Sequence, residues 1–260
     1  MSLQDTVINN KEKTREEKIT KLIESCSESI KNIPLERIER LRLSYINDKR
    51  SYEEIQQEII ALANRAKNIE QLINTDIDSD ILKNSIIFIG PMGSGKSTIA
   101  NLLREKYHMP RISLDDREQL SRLYDQQHNF DNFKEFEFYL TGMVLTNLKE
   151  PTIIDFGAGH SIYEDTMLFL EIKSLITRFS NVVLLMPSED KEESVVISNE
   201  RKGIKSGSIE DFDNRHFIDM PCNYELATIT KYTKDKTPDQ IANEIINQIN
   251  QKCDNNRKQM

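Results

Sequence analysis

Ser85 to Leu102 reads SIIFIGPMGSGKSTIANL, and the fold follows from how this stretch divides. The apolar run Ile86 to Ile89 is short and rich in β-branched residues, which predicts a buried strand. Gly90-Pro91-Met92-Gly93-Ser94-Gly95-Lys96-Ser97 then matches G-x-x-x-x-G-K-[ST] without a gap. In such a loop successive N–H groups turn inward around phosphate oxygens. Lys96 adds a point charge, and the Ser97 hydroxyl can sit on Mg²⁺. From Ser97 the spacing of Ile99, Leu102 and Leu103 is helical, so the positive end of a helix faces the same anion. Strand, glycine loop and helix together predict a cradle for the tail of a nucleoside triphosphate such as ATP. Its members are Gly90, Met92, Gly93, Ser94, Gly95, Lys96, Ser97 and Thr98.

At 260 residues the chain has room for a medium domain and a smaller one. Hydrophobic residues make up 37% and charged residues 30%, and no apolar run approaches the ~20 residues that a membrane helix needs. The opening residues are polar with no apolar core, which predicts a cytoplasmic protein that does not enter a membrane. Cys26, Cys222 and Cys253 are too scattered for a disulfide framework or a zinc cluster. A net charge of −8 argues against a general nucleic-acid binder.

Along the chain, residues 1–10 carry no pattern. Ile19, Leu22, Ile23, Cys26 and Ile30 predict a helix ending before Pro34, and Leu35, Ile38 and Leu41 a second running to about Ile46. Ser51 and Glu54 form a capping box for a third, with Ile55, Ile59, Leu62, Ala66, Ile69 and Ile73 on its buried face. Residues 1–82 thus form a helical domain, with residues 74–83 as its linker. Its charges read as a solvated face, or as a module for a protein partner or self-association. From residue 84 to 260 strands and helices alternate, which predicts a parallel sheet covered on both faces. Lys202 to Arg215 (KGIKSGSIEDFDNR) is polar and glycine-containing, and reads as a mobile segment. Thr237-Pro238 opens a last helix.

Residues 84 to about 252 resemble shikimate kinase, a small P-loop phosphotransferase. IFIGPMGSGKSTI is similar to that family's opening segment, and Asp115 stands where the family has the second aspartate of D-x-D. Phe133 to Glu137 resembles F-R-x-x-E, Gly157-Ala158-Gly159 the triple-glycine turn, and Arg215 with Pro221 and Tyr224 the R-x-P-x-Y segment. The resemblance implies that Asp115 orients the acceptor hydroxyl and that Lys134, Gly157, Ala158, Gly159 and Arg215 bind the acceptor. It also implies that Arg201, Lys202 and Lys205 supply adenine-stacking and lid cations. The chain departs from the family at Ser113, Lys134 and Ala158, and in the longer spacing between Arg215 and Tyr224. A lysine keeps the charge of an arginine but not its bidentate fork. ISLDDREQL also resembles the R-D-D-x-R segment of polynucleotide kinases.

The chemistry expected of the site is phosphoryl transfer, which needs positioning and charge neutralisation. Lys96, Asp115 and Arg215 are the candidate catalytic residues, though Asp115 could equally cap a helix, as could Asp116. Asp155 ends an apolar strand (TIID), where an aspartate either holds the water shell of magnesium beside Ser97 or bonds a nearby turn. His160, after the glycine turn, either touches the acceptor or is incidental. The leading expectation is an ATP- and Mg²⁺-dependent kinase of a small anionic metabolite, converting shikimate to shikimate 3-phosphate. A nucleotide-binding regulatory or interaction protein with a degenerate acceptor pocket is an alternative, and so is a polynucleotide or sugar-nucleotide kinase.

Overall fold

A computed structural model describes residues 3–26, 35–47, 49–115 and 132–258. Its contacts divide into two units, Met1–Asn74 and Thr75–Met260.

The first unit is helical: α1 (Leu3–Ser25), α2 (Leu35–Ile46) and α3 (Tyr52–Asn74). Its core gathers Ile19 and Leu22 of α1, Ile38, Leu41 and Tyr45 of α2, and Ile55, Ile59 and Ala63 of α3. Burying each isoleucine or leucine contributes about 1.5–3 kcal/mol, the main force holding the three helices together. Ser51 and Glu54 exchange the reciprocal hydrogen bonds of a capping box, 3.2 and 2.7 Å. α1 begins at Leu3, earlier than the apolar spacing indicates. Leu62, Ala66 and Ile69 have side chains outside the described set, as does the expected helix end near Pro34.

In the second unit, α4 (Ser79–Asn84) occupies part of the expected linker, because Asp78 accepts from the Asp80 N–H as a cap and Ile81 is buried. Then follow β1 (Ile86–Ile89), α5 (Lys96–Tyr107), β2 (Arg111–Ser113), α6 (Phe133–Thr146), β3 (Ile153–Asp155), a 3₁₀ turn (Ala158–Ser161) and α7 (Thr166–Ile176). β4 (Asn181–Met186), α8 (Lys191–Lys202), α9 (Ile209–Asp219), α10 (Pro221–Leu226), β5 (Ile229–Tyr232) and α11 (Pro238–Lys258) complete it. The helix expected from Asp116 lies outside the described residues.

The strands form one parallel sheet in the order β2-β3-β1-β4-β5. β1, β3 and β4 are buried along their whole length, which is why they read as continuous apolar runs rather than alternating ones. One face packs Ile86, Phe88, Val183 and Leu185 against Ile99 and Leu103 of α5 and Ile241 and Ile245 of α11. Because the chain leaves β1 for opposite sides of the sheet, a crevice opens at the carboxyl ends of β1, β3 and β4, the switch point of an open α/β sheet. No described helix is long and apolar enough to cross a membrane.

Residues 209–219 are helical where a mobile segment is expected. Ser208 accepts from the Asp211 N–H, acidic residues fill the first turn, and Asp211, Asn214, Phe217 and Ile218 make a buried stripe at helical spacing.

On α7, burial and then Asp165 push the Glu171 carboxyl from 4.5 up to about 7. The folded chain therefore binds this proton more tightly than the unfolded one, so stability falls as pH rises from about 4.5 to 7. Glu171→Gln should raise the melting temperature at pH 8 by roughly 2–4 °C, matching of order 1 kcal/mol after discounting for solvent screening of a partly exposed group. At about pH 3.5, below the window, thermal melts of variant and parent should coincide.

Candidate functional site

The loop after β1 is built by exclusion. Gly93 has φ +80°, and a Cβ there would lie 2.5 Å from the Ser198 carbonyl of α8. Gly95 has φ +96° and caps α5. The residues of the loop and of the first turn of α5, Met92 to Ile99, line one space. Lys96 opens the helix and is 7% exposed. Its Nζ donates to Gly90 O at 2.7 Å and Pro91 O at 3.0 Å, leaving its third proton for an anion. Burial lowers its pKa, against which Asp155 and then Asp115 favour the charged form. Ser97 and Thr98 are exposed at the mouth.

Asp155 ends β3, in register with Phe88 of β1 and Ser113 of β2, and is fully buried. Its Oδ2 accepts from Arg111 Nη2 at 2.5 Å, while Oδ1 has no hydrogen-bond partner. A buried carboxylate oxygen left open demands a partner. Close enough to Lys96 to favour its charged form, it fits a water of a magnesium shell. Ser94 Oγ, also buried and unpartnered, points to the same conclusion. Among the described residues no group of three or more His, Cys, Asp or Glu could hold a metal, so Ser97 and Asp155 would share the ion with nucleotide oxygens and water. The residues present therefore fit Mg·ATP.

A cavity of 1090 Å³ joins these parts. Met92 to Thr98, Asp115, Ala158, Arg201, Lys202 and Lys205 line it, with Thr233 and Ile241 at the far end. Arg201 Nη1 donates to Thr233 Oγ1 at 2.9 Å and to Gly93 O at 3.4 Å, so it spans from the phosphate loop to the segment after β5.

Beside Asp115 lies a cluster of largely buried polar side chains. A Cβ on Gly157 would stand 3.0 Å from Asp115 Oδ1, and one on Gly159 3.3 Å from Glu137 Oε1, so both glycines permit close approach. Lys134 Nζ donates to Gly159 O, pairs with Glu137 Oε2 at 3.0 Å and sits 4.5 Å above the Tyr163 ring. Burial lowers its pKa, opposed chiefly by Glu137. His160 is 2% exposed, with Nδ1 3.0 Å from Thr141 Oγ1 and Nε2 3.9 Å from Glu137 Oε1. Burial lowers its pKa too, which favours the neutral ring. Thr141 and Tyr163 were not singled out from the sequence, and Glu137 entered only as the glutamate that closes the F-R-x-x-E resemblance. Spacing held the signal: Glu137 is three residues beyond Lys134 and Thr141 four beyond Glu137, one helical face.

Arg215 does not join this pocket, contrary to the expectation that it grips the acceptor. α9 carries it to Asp211 Oδ1, one turn earlier, at 3.4 Å and across to Glu192 Oε2 of α8 at 2.8 Å. Pro221 to Tyr224 is helical, and the residue it sends toward Lys134 and Ser161 O is Cys222, a buried free thiol.

No family model matches the chain. The shikimate kinase of Flavobacterium psychrophilum is 26% identical over 171 residues, covering 62% of this chain and 95% of its own length. That of Enterococcus faecalis is 27% identical over 179 residues, covering 64% and 98%. Among solved structures, a shikimate kinase from Acinetobacter baumannii in complex with shikimate aligns over 67% of this chain and 98% of its own, at 18% identity and a TM-score of 0.48. A gluconokinase from Sinorhizobium meliloti 1021 aligns over 68% and 98%, at 15% identity and a TM-score of 0.46. The C-terminal part of the chain is a shikimate-kinase-like P-loop kinase.

Asp155→Asn keeps the shape and removes the charge that faces the loop. Titration of Mg²⁺ into the protein with ATP should show the metal bound at least tenfold more weakly, about 1.4 kcal/mol. An unchanged magnesium dependence would mean that Asp155 serves only Arg111.

Proposed function

We propose that the chain is a cytoplasmic enzyme that transfers the γ-phosphoryl group of ATP to a hydroxyl of a small metabolite, with shikimate as the first acceptor to test. One observation carries this reading: Asp115 opens into the same cavity as the phosphate loop, beside a pocket of polar side chains. A cradle alone would suit any nucleotide binder. A carboxylate lining the same cavity as the cradle suits transfer to an alcohol.

The roles follow from placement. Loop amides, Lys96 and the start of α5 hold the phosphates, and Arg201 borders the space for the base. When bound, Mg²⁺ supplies charge neutralisation between the outer phosphates. Asp115 accepts the proton of the acceptor hydroxyl as its oxygen bonds the γ-phosphorus and the bond to the β–γ bridging oxygen breaks, leaving ADP. Lys134, Glu137 and the carbonyl of Gly159 fix the acceptor, and Gly157 and Ala158 form the floor. Lys202 at the end of α8 and Lys205 on the loop after it border the cavity and can exclude water from it.

The pairing of Lys134 with Glu137 favours a second reading of the acceptor. A cation already paired offers less to a carboxylate, so an uncharged polyol competes with shikimate for the pocket.

Incubation with Mg·ATP and shikimate, and separately with a metabolite extract, should give an acceptor carrying one added phosphoryl group by mass spectrometry. Asp115→Asn should lower kcat by about 10²–10⁴ while leaving ATP affinity unchanged. Full turnover in that variant would reduce Asp115 to a helix cap.

A further inference from the structure

Four hydrogen bonds connect the phosphate loop to the loop between α8 and α9. The Met92 N–H donates to Asn214 Oδ1 at 3.0 Å, although 122 residues separate them. Asn214 Nδ2 donates to Asn199 Oδ1 at 2.9 Å, and Asn199 Nδ2 to Asp211 Oδ1 at 2.6 Å. The other oxygen, Asp211 Oδ2, accepts from the Gly207 N–H at 2.8 Å. Asn214, Asn199 and Asp211 are 1%, 8% and 5% exposed.

The direction of this chain is dictated by its ends. A backbone N–H can only donate and an ionised carboxylate can only accept, so each residue between them must accept on one side and donate on the other. A short amide does both, which accounts for asparagine at 199 and at 214. An aspartate at 214 could still accept from Met92 but would turn a second acceptor toward Asn199. Were Asn199 to flip its amide, it would set oxygen against oxygen at Asp211. In a desolvated interior such a break costs far more than a lost surface contact, and bonds in series strengthen one another.

Both ends matter to nucleotide binding. Met92 borders the cavity on the phosphate loop, while Gly203, Ile204, Lys205 and Ser208 border it on the loop to which Gly207 belongs. Gly203 and Gly207 have φ of +65° and +79°, left-handed conformations at the two ends of that loop. Arg215 braces Asp211 from outside at 3.4 Å. Gly207 and Asn199, the main causes, hold the Asp211 carboxyl below its usual range, which keeps that end an acceptor.

Resting on the kinase reading of this site, we propose that Asn214 is a positioning residue: through Asn199 and Asp211 it ties the geometry of the phosphate cradle to that of the 203–208 loop. Filling the cradle and ordering the loop over the cavity are then one coupled event, and Arg215 serves the coupling rather than the acceptor.

The test uses the full chain, Mg·ATP calorimetry and hydrogen–deuterium exchange of the peptide spanning residues 203–208. In the parent, Mg·ATP binds and slows exchange in that peptide. Asn214→Asp should weaken ATP binding by about tenfold or more, consistent with breaking a buried hydrogen-bonded chain. At saturating ATP it should no longer slow exchange there, and KM for ATP should rise with KM for the acceptor unchanged. A variant that merely melts at lower temperature, with parental ATP affinity and parental protection of the peptide, overturns the proposal. Should Asn214→Asp fail to fold, Asp211→Asn at the outer end decides. Faster exchange in the ATP complex with a smaller loss of affinity supports the coupling, and no change in either overturns it. A parent chain that does not bind Mg·ATP at all brings down the kinase reading together with the coupling.

Discussion

Everything in the second unit is arranged around a stretch of backbone that has no room for a side chain at two of its glycines. A Cβ on Gly90 would meet the Leu185 carbonyl of β4 at 2.5 Å, and one on Gly93 the Ser198 carbonyl of α8 at the same distance. The loop is thus clamped between a strand and a helix that enter the chain some ninety residues later. That clamp requires β4 beside β1 and α8 folded back over the carboxyl edge of the sheet, which the strand order supplies. It also explains why Lys96 can be buried: its ammonium is solvated by Gly90 and Pro91 carbonyls and faces the two aspartates, which offset much of the desolvation.

What the sequence discloses about this fold is what local spacing encodes. The apolar run of β1, the glycine pattern after it and the Ser51/Glu54 box are each complete within a few residues, and the structure contains all of them. α4 was hidden because a six-residue helix shows only one buried apolar residue, Ile81, among polar neighbours. α9 was hidden because its buried stripe begins with Asp211 and Asn214, which look like solvent-facing residues until Asn199 and Met92 are placed against them. Arg215 illustrates the same limit. Its neighbours in sequence suggested an acceptor contact, but a helical turn places Asp211 one turn earlier on the same face, and a nearby carboxylate takes the guanidinium.

The acceptor pocket was legible in outline, through Asp115, Lys134 and Gly157 to Gly159, and illegible in charge. Spacing puts Glu137 on the helical face of Lys134 but could not say that the two would pair, nor that Tyr163 lies under the ammonium. Those contacts convert a lone cation into a nearly neutral hydrogen-bonding surface, better matched to hydroxyl groups than to a strong anion. A neutral His160 against Thr141 extends the same character. The identity of an acceptor is therefore decided by which partners a charge finds in the folded chain, a property that no single motif carries.

The two aspartates show how burial divides labour between like groups. Asp155 has no exposed surface and one oxygen held by Arg111, so its carboxylate is fixed in direction and keeps a single oxygen without a hydrogen-bond partner. A rigid acceptor of that kind suits an ion whose shell tolerates little distortion. Asp115 lies two residues past β2, exposed and beside the glycine turn, where it can meet a ligand arriving from solvent. Exchanging the two environments would defeat both tasks. A buried, arginine-bound carboxylate is a poor acceptor for the proton of an incoming alcohol, and a solvated one is a poor anchor for a metal's water. Two carboxylates in contrasting surroundings suit, at the same pH, a metal's water on one side and an incoming hydroxyl on the other.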